Sequence, residues 1–537
     1  MRRPVLTLIL LTAVTFFLGL GRQAITDSDE GFYAEASREM VESGDWLTPH
    51  FNYEDRWQKP VLYYWLTAAT YLITGPTESA ARWWAAASGL GLVLLTWAAA
   101  RRMTRRDNAA WIAGAIVATC FGCFAMARLA LPDLPLAFCV TLTIWSAIEG
   151  RWALAGAAAG LGFLMKGPLA LVIPAIVLVP IWWREGRLGA VLTVRNLSVA
   201  AVLFIVIGVP WYAAMTYTHG APYLESFFLA DNLERFATDR FNEPRAIWFY
   251  VPILVGGLLP WSLFIFVMAP SAWEVLKRRR RLTTEEWRLL LWIAVPLLFF
   301  TLSVGKQPRY ILPVLPPLAI LVARAITRRV PDPRTHTAMA IATWATVLLF
   351  AVLALLLVRA RPLFITAYPM VSNASIALIG GAALALAYVP ASRRWHLLPG
   401  HLAVCAAALM MAVQFGALAG RRPEPVEEMA ALVRTHAGAG EPVGAYQVFV
   451  RNLVFYTRAK TIDLFDEGRA LDFLTSPTRS LLVVRAVDLP RLEAIAGMTT
   501  LRLGEVRYLN TANIRLRTLL APIPEQDLET VLLVANR

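Results

Sequence analysis

The chain alternates between long apolar runs and short polar breaks over its first four-fifths. Runs of this length span the hydrocarbon core of a bilayer when they are helical. The pattern therefore predicts about thirteen transmembrane helices. They cover residues 5–20, 80–99, 109–127, 134–147, 152–165, 169–183, 197–215, 247–268, 289–304, 311–326, 338–358, 374–389 and 402–419.

Basic residues predict the orientation of these spans. Lys and Arg concentrate in alternate breaks, and the positive-inside rule places such breaks in the cytoplasm. The alternation holds only if residues 59–74 do not cross the membrane, so we predict an interfacial helix there. The N-terminus is then cytoplasmic and the C-terminal tail lies outside. The basic breaks are residues 2–3, 101–106, 184–187, 277–281, 328–329 and 393–394.

The tail has no apolar run of spanning length, and its pattern alternates between helical and strand periodicity. We therefore predict a membrane domain over residues 1–420 and a small C-terminal α/β domain over residues 421–537. The predicted tail helices are 425–436 and 490–496. The predicted tail strands are 443–449, 461–464, 480–484, 501–509 and 531–535.

Composition excludes several protein classes. Of the 537 residues, 58% are hydrophobic and only 16% are charged, and the mean hydropathy is +0.54. These values exclude a soluble globular enzyme, a disordered chain and a collagen-like fibre. The net charge of +14 is explained by the basic breaks, and no nucleic-acid-binding module is visible. All four cysteines lie in apolar spans, so we interpret them as small hydrophobic residues.

Two outer loops are long and polar, residues 21–78 and 216–246, and long polar loops commonly carry function. The first loop holds an acidic cluster of Asp27, Asp29 and Glu30. Carboxylates are costly to desolvate, so such a cluster binds a cation, moves a proton or faces water. The alternative is a solvated loop in which Asp29 caps a helix.

Three further ionisable residues stand at predicted membrane boundaries. Lys59 begins the interfacial segment, where it either binds a lipid phosphate or reaches to the surface as an ordinary anchor. Asp133 lies in a very short outer turn, as a site residue or as a partner of nearby Arg128. Lys166 interrupts an apolar hairpin, and ionisable groups in such places mark functional sites.

Another outer turn, at residues 303–313, supplies two cations and a phenol: Lys306, Arg309 and Tyr310. This combination suits an anionic phosphate or pyrophosphate group. The alternative is ordinary interfacial anchoring, because Tyr, Lys and Arg are all common there.

These motifs carry a family resemblance when they are read in order. An acidic pair follows the first span, then come G-D-W-x-T-P from Gly44, K-P-x-L-x-Y-W from Lys59 and K-x-x-x-Y-I-L-P from Lys306. The series resembles the ArnT-like family of integral-membrane glycosyltransferases of the GT-C type. It is more remotely similar to protein O-mannosyltransferases. The resemblance runs along the whole chain, and its motifs are poor indicators of the substrate.

The resemblance implies a GT-C fold and transfer with inversion on the periplasmic face of a bacterial inner membrane. The implied donor is a polyprenyl-phosphate sugar, typically based on undecaprenyl phosphate. Asp29, with Glu30 beside it, matches the catalytic acidic position, and Asp133 matches the second acidic position. The implied donor-phosphate ligands are Lys59, Arg235 and Tyr310, with Lys306 as a weaker match.

The chain departs from the family pattern at two places. Gln58 stands where lipid A transferases usually carry Glu, and Asp231 with Asn232 stands where several members carry His. If those positions bind a metal in relatives, the matching ligands are absent here. We therefore predict no metal ligands, although the sequence leaves a divalent metal open. These departures also leave the arabinose specificity open.

The functional hypothesis is transfer of a sugar, such as an aminoarabinose-type sugar, to lipid A or another glycan, lipid or protein of the cell envelope. No cofactor beyond the donor is implied, and membrane lipids rather than nucleic acid are the expected surroundings. If the acceptor is a hydroxyl, Asp29 acts as a general base. If it is a phosphate oxygen, Asp29 orients the acceptor or stabilises positive charge on the sugar ring. The sequence does not choose between the two.

Two other functions remain as alternatives. A transporter or flippase of lipid-linked sugars would show ionisable residues at mid-membrane depth or an inverted repeat, and we see no such repeat. A structural or assembly protein whose tail binds partners would leave the acidic first loop unexplained.

Overall fold

The computed structural model describes residues 2–234, 245–277, 280–364, 369–418, 422–510 and 514–537. Helices dominate up to residue 418. The described helices of the first half are α1 Arg2–Thr12, α2 Asp29–Ser43, α3 Leu62–Thr74, α4 Glu78–Thr104, α5 Asp107–Thr119, α6 Phe121–Ala127, α7 Asp133–Ile148, α8 Trp152–Lys166, α9 Leu169–Arg184, α10 Leu188–Val191, α11 Val194–Gly208, α12 Pro210–His219 and α13 Ala221–Leu224.

The second half of the membrane part continues with α14 Tyr250–Gly257, α15 Ala269–Leu276, α16 Thr284–Leu302, α17 Leu315–Arg329, α18 His336–Ala360, α19 Pro369–Ser392 and α20 Leu398–Val413. Tighter 3-10 turns at Trp261–Met268, Pro308–Val314, Pro333–Thr335 and Trp395–Leu397 precede several of these helices. Wider π turns lie at Ala13–Phe17, Glu225–Glu234 and Gln414–Leu418. A two-strand hairpin, β1 His50–Phe51 and β2 Glu54–Asp55, lies between α2 and α3.

Several helices have the length and apolar composition needed to cross a bilayer. The described residues hold five such helices, or eight if each of three bent pairs is one span, together with four shorter apolar helices. The chain is therefore a polytopic α-helical membrane protein, as predicted, while the count of thirteen spans stays a prediction. The five are Glu78–Thr104, Pro308–Arg329, His336–Ala360, Met370–Ser392 and Trp395–Leu418.

The predicted span 109–127 is one of the bent pairs. α5 and α6 meet at 54° because Cys120 adopts an extended backbone, which ends the first helix. The N–H group of Phe121 donates to the carbonyl of Leu259 at 3.0 Å instead. Broken helices are tolerated in membranes when a neighbouring segment satisfies the freed backbone groups in this way. Cys120 and Cys123 are buried free thiols at the break, as their interpretation as small hydrophobic residues expects.

Small residues allow the helices to pack closely. At Gly156 in α8, an added Cβ would lie 2.2 Å from the carbonyl oxygen of Ala200 in α11. Only glycine permits this approach of two backbones, and small residues are the usual contact residues between membrane helices.

The first outer loop is ordered by two helices. α2 begins with Ser28, whose hydroxyl accepts from the N–H of Glu30 at 3.3 Å. The alternative that Asp29 caps a helix is therefore wrong in the capping residue. The helix is present, but Ser28 caps it. α3 lies within the predicted interfacial segment 59–74, and its placement relative to a bilayer stays a prediction.

The tail is built around a mixed five-stranded sheet, β3 Val443–Tyr446, β4 Thr461–Leu464, β5 Leu481–Arg485, β6 Leu501–Tyr508 and β7 Glu529–Ala535. The strand order is β4-β3-β5-β7-β6, in which β3 pairs in parallel with β4 and β5, and β7 pairs antiparallel with β5 and β6. Its described helices are α21 Pro425–His436, α22 Leu453–Thr457, α23 Glu467–Leu474, α24 Leu489–Ala496, α25 Leu516–Leu520 and α26 Pro524–Asp527.

All five predicted strands and both predicted helices of the tail are present, shifted by at most a few residues. The sequence analysis missed α23, which contains buried Ala470 and Leu474 and packs against β3 and β4. The predicted domain boundary at residues 420–421 lies outside the described residues.

A buried ion pair joins the first outer loop to the membrane part. The guanidinium of Arg82, in the second turn of α4, donates to Glu30 at 2.7 and 3.1 Å. It also donates to the carbonyls of Leu20, Gln23 and Ala24 at 2.6–3.0 Å. Both side chains are almost fully buried.

The carboxylate of Glu30 is saturated with donors. Besides Arg82, it accepts from the N–H and hydroxyl of Thr26 and from the N–H of Ala130, each at 2.9 Å. Burial alone raises the pKa of Glu30, but Arg82 and the backbone donors outweigh burial, and the pKa lies below its usual value. The pair therefore stays charged and fixes the start of α2 to α4 and to the turn before α7.

We predict that Glu30→Gln destabilises the protein by about 3–5 kcal/mol, because it leaves a buried guanidinium without its counter-charge. The measurement is the thermal unfolding midpoint of the purified protein in detergent, followed by tryptophan fluorescence. The control is Glu42→Gln, which removes a half-exposed partner of Arg38 and should cost less than about 1 kcal/mol. Equal midpoints for Glu30→Gln and wild type would reject the structural role.

Candidate functional site

A cavity of about 930 Å³ lies where the first outer loop, the ends of several membrane helices and the tail meet. One part of its wall is apolar, formed by side chains of α9 and α16 and of the π turn that follows α13. The other part is charged. The apolar lining residues are Phe32, Leu131, Pro168, Leu169, Val172, Phe227, Phe228, Phe299 and Phe300.

Four charged side chains follow one another along one side of the cavity. Asp29 pairs with Arg309, the Nε of Arg309 lies 3.5 Å from Asp133, and Asp133 pairs with Lys166. Signs alternate along this series, so each charge is next to an opposite one. Asp133 stands at the first position of α7, where the helix dipole favours a negative charge.

Asp29 is the more accessible carboxylate of the series, with a side chain 41% exposed against 4% for Asp133. Burial raises the pKa of Asp29, but the charge and hydrogen bond of Arg309 outweigh burial, and the pKa lies below its usual value. Asp29 is therefore ionised at neutral pH and is a weak proton acceptor.

Lys59 and Tyr310 complete the charged part. The Nζ of Lys59 lies 3.5 Å from Oδ1 of buried Asp231 and donates to the carbonyl of Gln58 at 2.9 Å. The ring of Tyr310 lies 5.1 Å from the Nζ of Lys166, which is within cation–π range. The ammonium group of Lys59 and the phenol of Tyr310 therefore line the same cavity.

The structure brings four of the sequence-predicted site residues to this cavity: Asp29, Asp133, Lys59 and Tyr310. Their catalytic and binding roles stay predictions. Arg235, the remaining principal phosphate ligand, lies outside the described residues.

Two predicted residues are placed elsewhere. Glu30 does not line the cavity and is held by Arg82, so the geometry gives it a structural role rather than the catalytic one. Lys306 does not line the cavity either. Its Nζ donates to the carbonyls of Ser303 at 2.6 Å and Arg245 at 3.3 Å, so it stabilises the turn that carries its neighbours.

Four charged residues that line the cavity were not among the predicted site residues: Arg56, Lys166, Arg309 and Arg451. Arg309 was visible as the second cation of the turn 303–313, but only the structure pairs it with Asp29. The sequence marks Lys166 as an ionisable residue in an apolar hairpin, and only the structure pairs it with Asp133. Arg56 and Arg451 line the cavity as well. Arg451 comes from the tail, where no sequence motif marks a site.

The described residues include no cluster of three or more His, Cys, Asp or Glu side chains with the spacing of a metal site. Gln58, which the sequence analysis noted as a departure from the family pattern, also lines the cavity.

The chain is similar to known proteins along most of its length. Residues 6–221 match the family model "Dolichyl-phosphate-mannose-protein mannosyltransferase". An undecaprenyl phosphate-alpha-4-amino-4-deoxy-L-arabinose arabinosyl transferase of Proteus mirabilis is 34% identical over 59% of this chain and 58% of its own length. The corresponding transferase of Enterobacter sp. is 30% identical over 71% of this chain and 69% of its own.

Solved structures share the fold. ArnT from Cupriavidus metallidurans, solved with undecaprenyl phosphate bound, superposes with a TM-score of 0.74 at 21% identity. The match covers 99% of this chain and 98% of that one. It therefore includes the tail as well as the membrane helices.

The curated relatives are matched over part of their length, since the alignment spans 58% of the Proteus mirabilis protein. The match to the Enterobacter protein extends over more than two thirds of that protein. Together with the shared fold, this likeness shows that the chain belongs to the ArnT-like family of GT-C membrane glycosyltransferases.

Proposed function

We propose that this protein transfers a sugar from a polyprenyl-phosphate donor to lipid A or another acceptor of the bacterial cell envelope. The reaction takes place on the periplasmic face of the inner membrane, with a cytoplasmic N-terminus, and inverts the sugar configuration. The observation that carries the proposal is the cavity, in which an apolar wall faces the alternating series Asp29, Arg309, Asp133 and Lys166.

The donor fits the two parts of the cavity wall. A polyprenyl chain would lie against the aromatic side chains Phe227, Phe228 and Phe299, where its burial is favourable. Its phosphate would lie at Lys59 and Tyr310. Cations at this point stabilise the negative charge that grows on the phosphate as the bond to the sugar breaks.

The state of Asp29 bears on the acceptor. An efficient general base has a pKa near the working pH, whereas Arg309 holds the pKa of Asp29 below its usual value. Asp29 is therefore better suited to stabilise positive charge on the sugar ring, or to orient the acceptor, than to remove a proton. This favours an acceptor that is already anionic, such as a phosphate oxygen.

The bond changes are simple in that case. The acceptor oxygen forms a bond to the anomeric carbon while the bond from that carbon to the donor phosphate oxygen breaks. The electron pair leaves with the polyprenyl phosphate, and no proton has to be moved. The proposal requires no metal, because side-chain cations stabilise the leaving group.

The names of the relatives favour an aminoarabinose-type sugar and an undecaprenyl carrier. The flippase alternative has no comparable support, because those relatives are named as transferases.

The first test is mass spectrometry of lipid A from a deletion strain and its complemented parent. We expect the deletion to remove a sugar or aminosugar mass from the lipid A phosphates. Complementation with Asp29→Asn should leave that mass absent, because loss of a charge that stabilises the transition state costs at least about 100-fold in rate. Asp29 is partly exposed and Asn is nearly isosteric, so the variant should accumulate normally.

Restoration of the modification by Asp29→Asn would reject the role of Asp29. If lipid A has the same mass in all strains, the acceptor is instead another glycan, lipid or protein.

The second test concerns the donor. Lys59→Ala should lower kcat/KM for the polyprenyl-phosphate sugar by about 10-fold or more, since a hydrogen bond to a charged group contributes about 1.5–3 kcal/mol. Steady-state kinetics with the purified enzyme measure this. The matched control is Lys460→Ala, an exposed lysine of the tail that pairs with Glu54 at the surface. Unchanged donor kinetics in Lys59→Ala would argue against phosphate binding at Lys59.

A further inference from the structure

Two arginines lie beside one aromatic ring at the rim of the cavity. The Cζ of Arg56 is 3.9 Å, and that of Arg451 is 5.3 Å, from the centroid of Phe32. All three side chains line the cavity. Phe32 stands one helical turn after Asp29 in α2, so both residues are on the same side of the helix. Arg56 belongs to the first outer loop, and Arg451 belongs to the tail.

These two arginines differ from the other cations of the cavity. Lys59, Lys166 and Arg309 each lie within 4 Å of a lining carboxylate. Among the described residues, neither Arg56 nor Arg451 forms an ion pair. Within the described part of the chain, the guanidinium of Arg56 donates one hydrogen bond, to the hydroxyl of Tyr64 at 3.3 Å.

The charge of the cavity is therefore unbalanced on this side. The described lining residues include five cationic side chains and three carboxylates. The two cationic side chains in excess are Arg56 and Arg451, which lie beside Phe32. A ring face attracts guanidinium groups but does not neutralise them, so it keeps the two arginines in place for an anion.

The charge of Arg451 attracts three nearby carboxylates, Asp29 in the cavity lining and Asp27 and Asp463 outside it, but among the described residues none of them forms an ion pair with its guanidinium. Asp27 accepts from the backbone N–H groups of Arg451 at 2.8 Å and Val450 at 3.3 Å, so it holds the main chain. Burial raises the pKa of Asp463 to about 7, which leaves that side chain partly protonated near neutral pH.

The tail turn that carries Arg451 is fixed against α2. Asp27 accepts the two backbone hydrogen bonds described above, and the side-chain amide of Asn452 donates to the carbonyl of Ile25 at 2.8 Å. At Gly31, an added Cβ would lie 2.4 Å from the carbonyl oxygen of Arg451. Residue 31 therefore has to be glycine if the tail turn is to pack against α2. The position of this turn then fixes the position of the Arg451 guanidinium.

We propose that Arg56 and Arg451 form a second anion subsite, on the acceptor side, that binds a phosphate monoester of the acceptor. The inference rests on the proposed function and adds to it a role for the tail. Paired guanidiniums bind phosphate oxygens with several directed hydrogen bonds.

The subsite belongs to the acceptor because of where Arg451 comes from. The donor phosphate is tethered to a chain that lies against membrane helices, at Phe227, Phe228 and Phe299. Arg451 is supplied by the tail, in the turn that follows β3, and its charge acts on Asp29. Inversion then requires that a phosphate held there present an oxygen to the sugar from the side opposite the leaving group.

The test compares the binding of two probes to the full-length protein in nanodiscs without donor. The probes are lipid A that carries its phosphates and the same lipid A after enzymatic dephosphorylation. We expect wild type to bind the phosphorylated probe at least about tenfold more tightly, and Arg451→Gln to lose most of that preference. Arg451→Lys should retain part of it. Arg469→Gln, an exposed tail arginine, should behave as wild type.

Two further variants separate position from charge. Gly31→Ala leaves every charge in place but displaces the Arg451 turn, so it should reduce the preference as Arg451→Gln does. Arg56→Gln combined with Arg451→Gln should lose less than the sum of the two single changes, because both residues hold one phosphate.

The outcomes separate the subsite from the proposed function. A wild type without preference, an undiminished preference in Arg451→Gln, or equal weakening of both probes would each overturn the subsite. Transfer assays then decide the function independently. Preferential binding of phosphorylated lipid A without any sugar transfer would overturn the function and keep the subsite.

Discussion

The ion pair of Glu30 and Arg82 determines where the charged wall of the cavity lies. It buries two opposite charges after the chain leaves its first membrane helix, and it satisfies them with backbone groups from two segments, residues 20–26 and residue 130. Such a pair tolerates only a narrow range of positions, because any shift exposes a charge to an apolar surrounding. The residue before Glu30 is Asp29. The same constraint therefore fixes the position of Asp29, the accessible carboxylate of the cavity, relative to α4.

From this fixed point the cavity is built by alternation of charge. Asp29, Arg309, Asp133 and Lys166 come from four different segments, yet each lies next to an opposite charge. Buried charges of one sign would repel and shift their protonation states. Alternation instead gives each charge a neighbour of opposite sign. The excess of cations then falls at the positions left over, around Phe32.

The sequence predicted the architecture better than the chemistry of individual residues. Apolar runs and basic breaks were enough for a polytopic helical protein, and periodicity was enough for the strands of the tail, because both depend on local composition. The roles of Glu30 and Arg309 depend on partners 52 and 280 residues away, which no local pattern reports. Adjacent carboxylates look alike in a sequence, whereas the fold turns Asp29 to the cavity and Glu30 to Arg82. The contribution of Arg451 was equally invisible, since it depends on how the tail docks.

The contacts between Asp27 and the backbone of Arg451 join positions 424 residues apart in the chain. A ribosome adds about 5–20 residues per second, so the first outer loop waits on the order of tens of seconds for the segment that completes its wall. During biogenesis, the nascent chain therefore carries an open half-site until the tail has emerged and folded. The first outer loop and the membrane helices are therefore synthesised before the tail turn that completes the cavity wall.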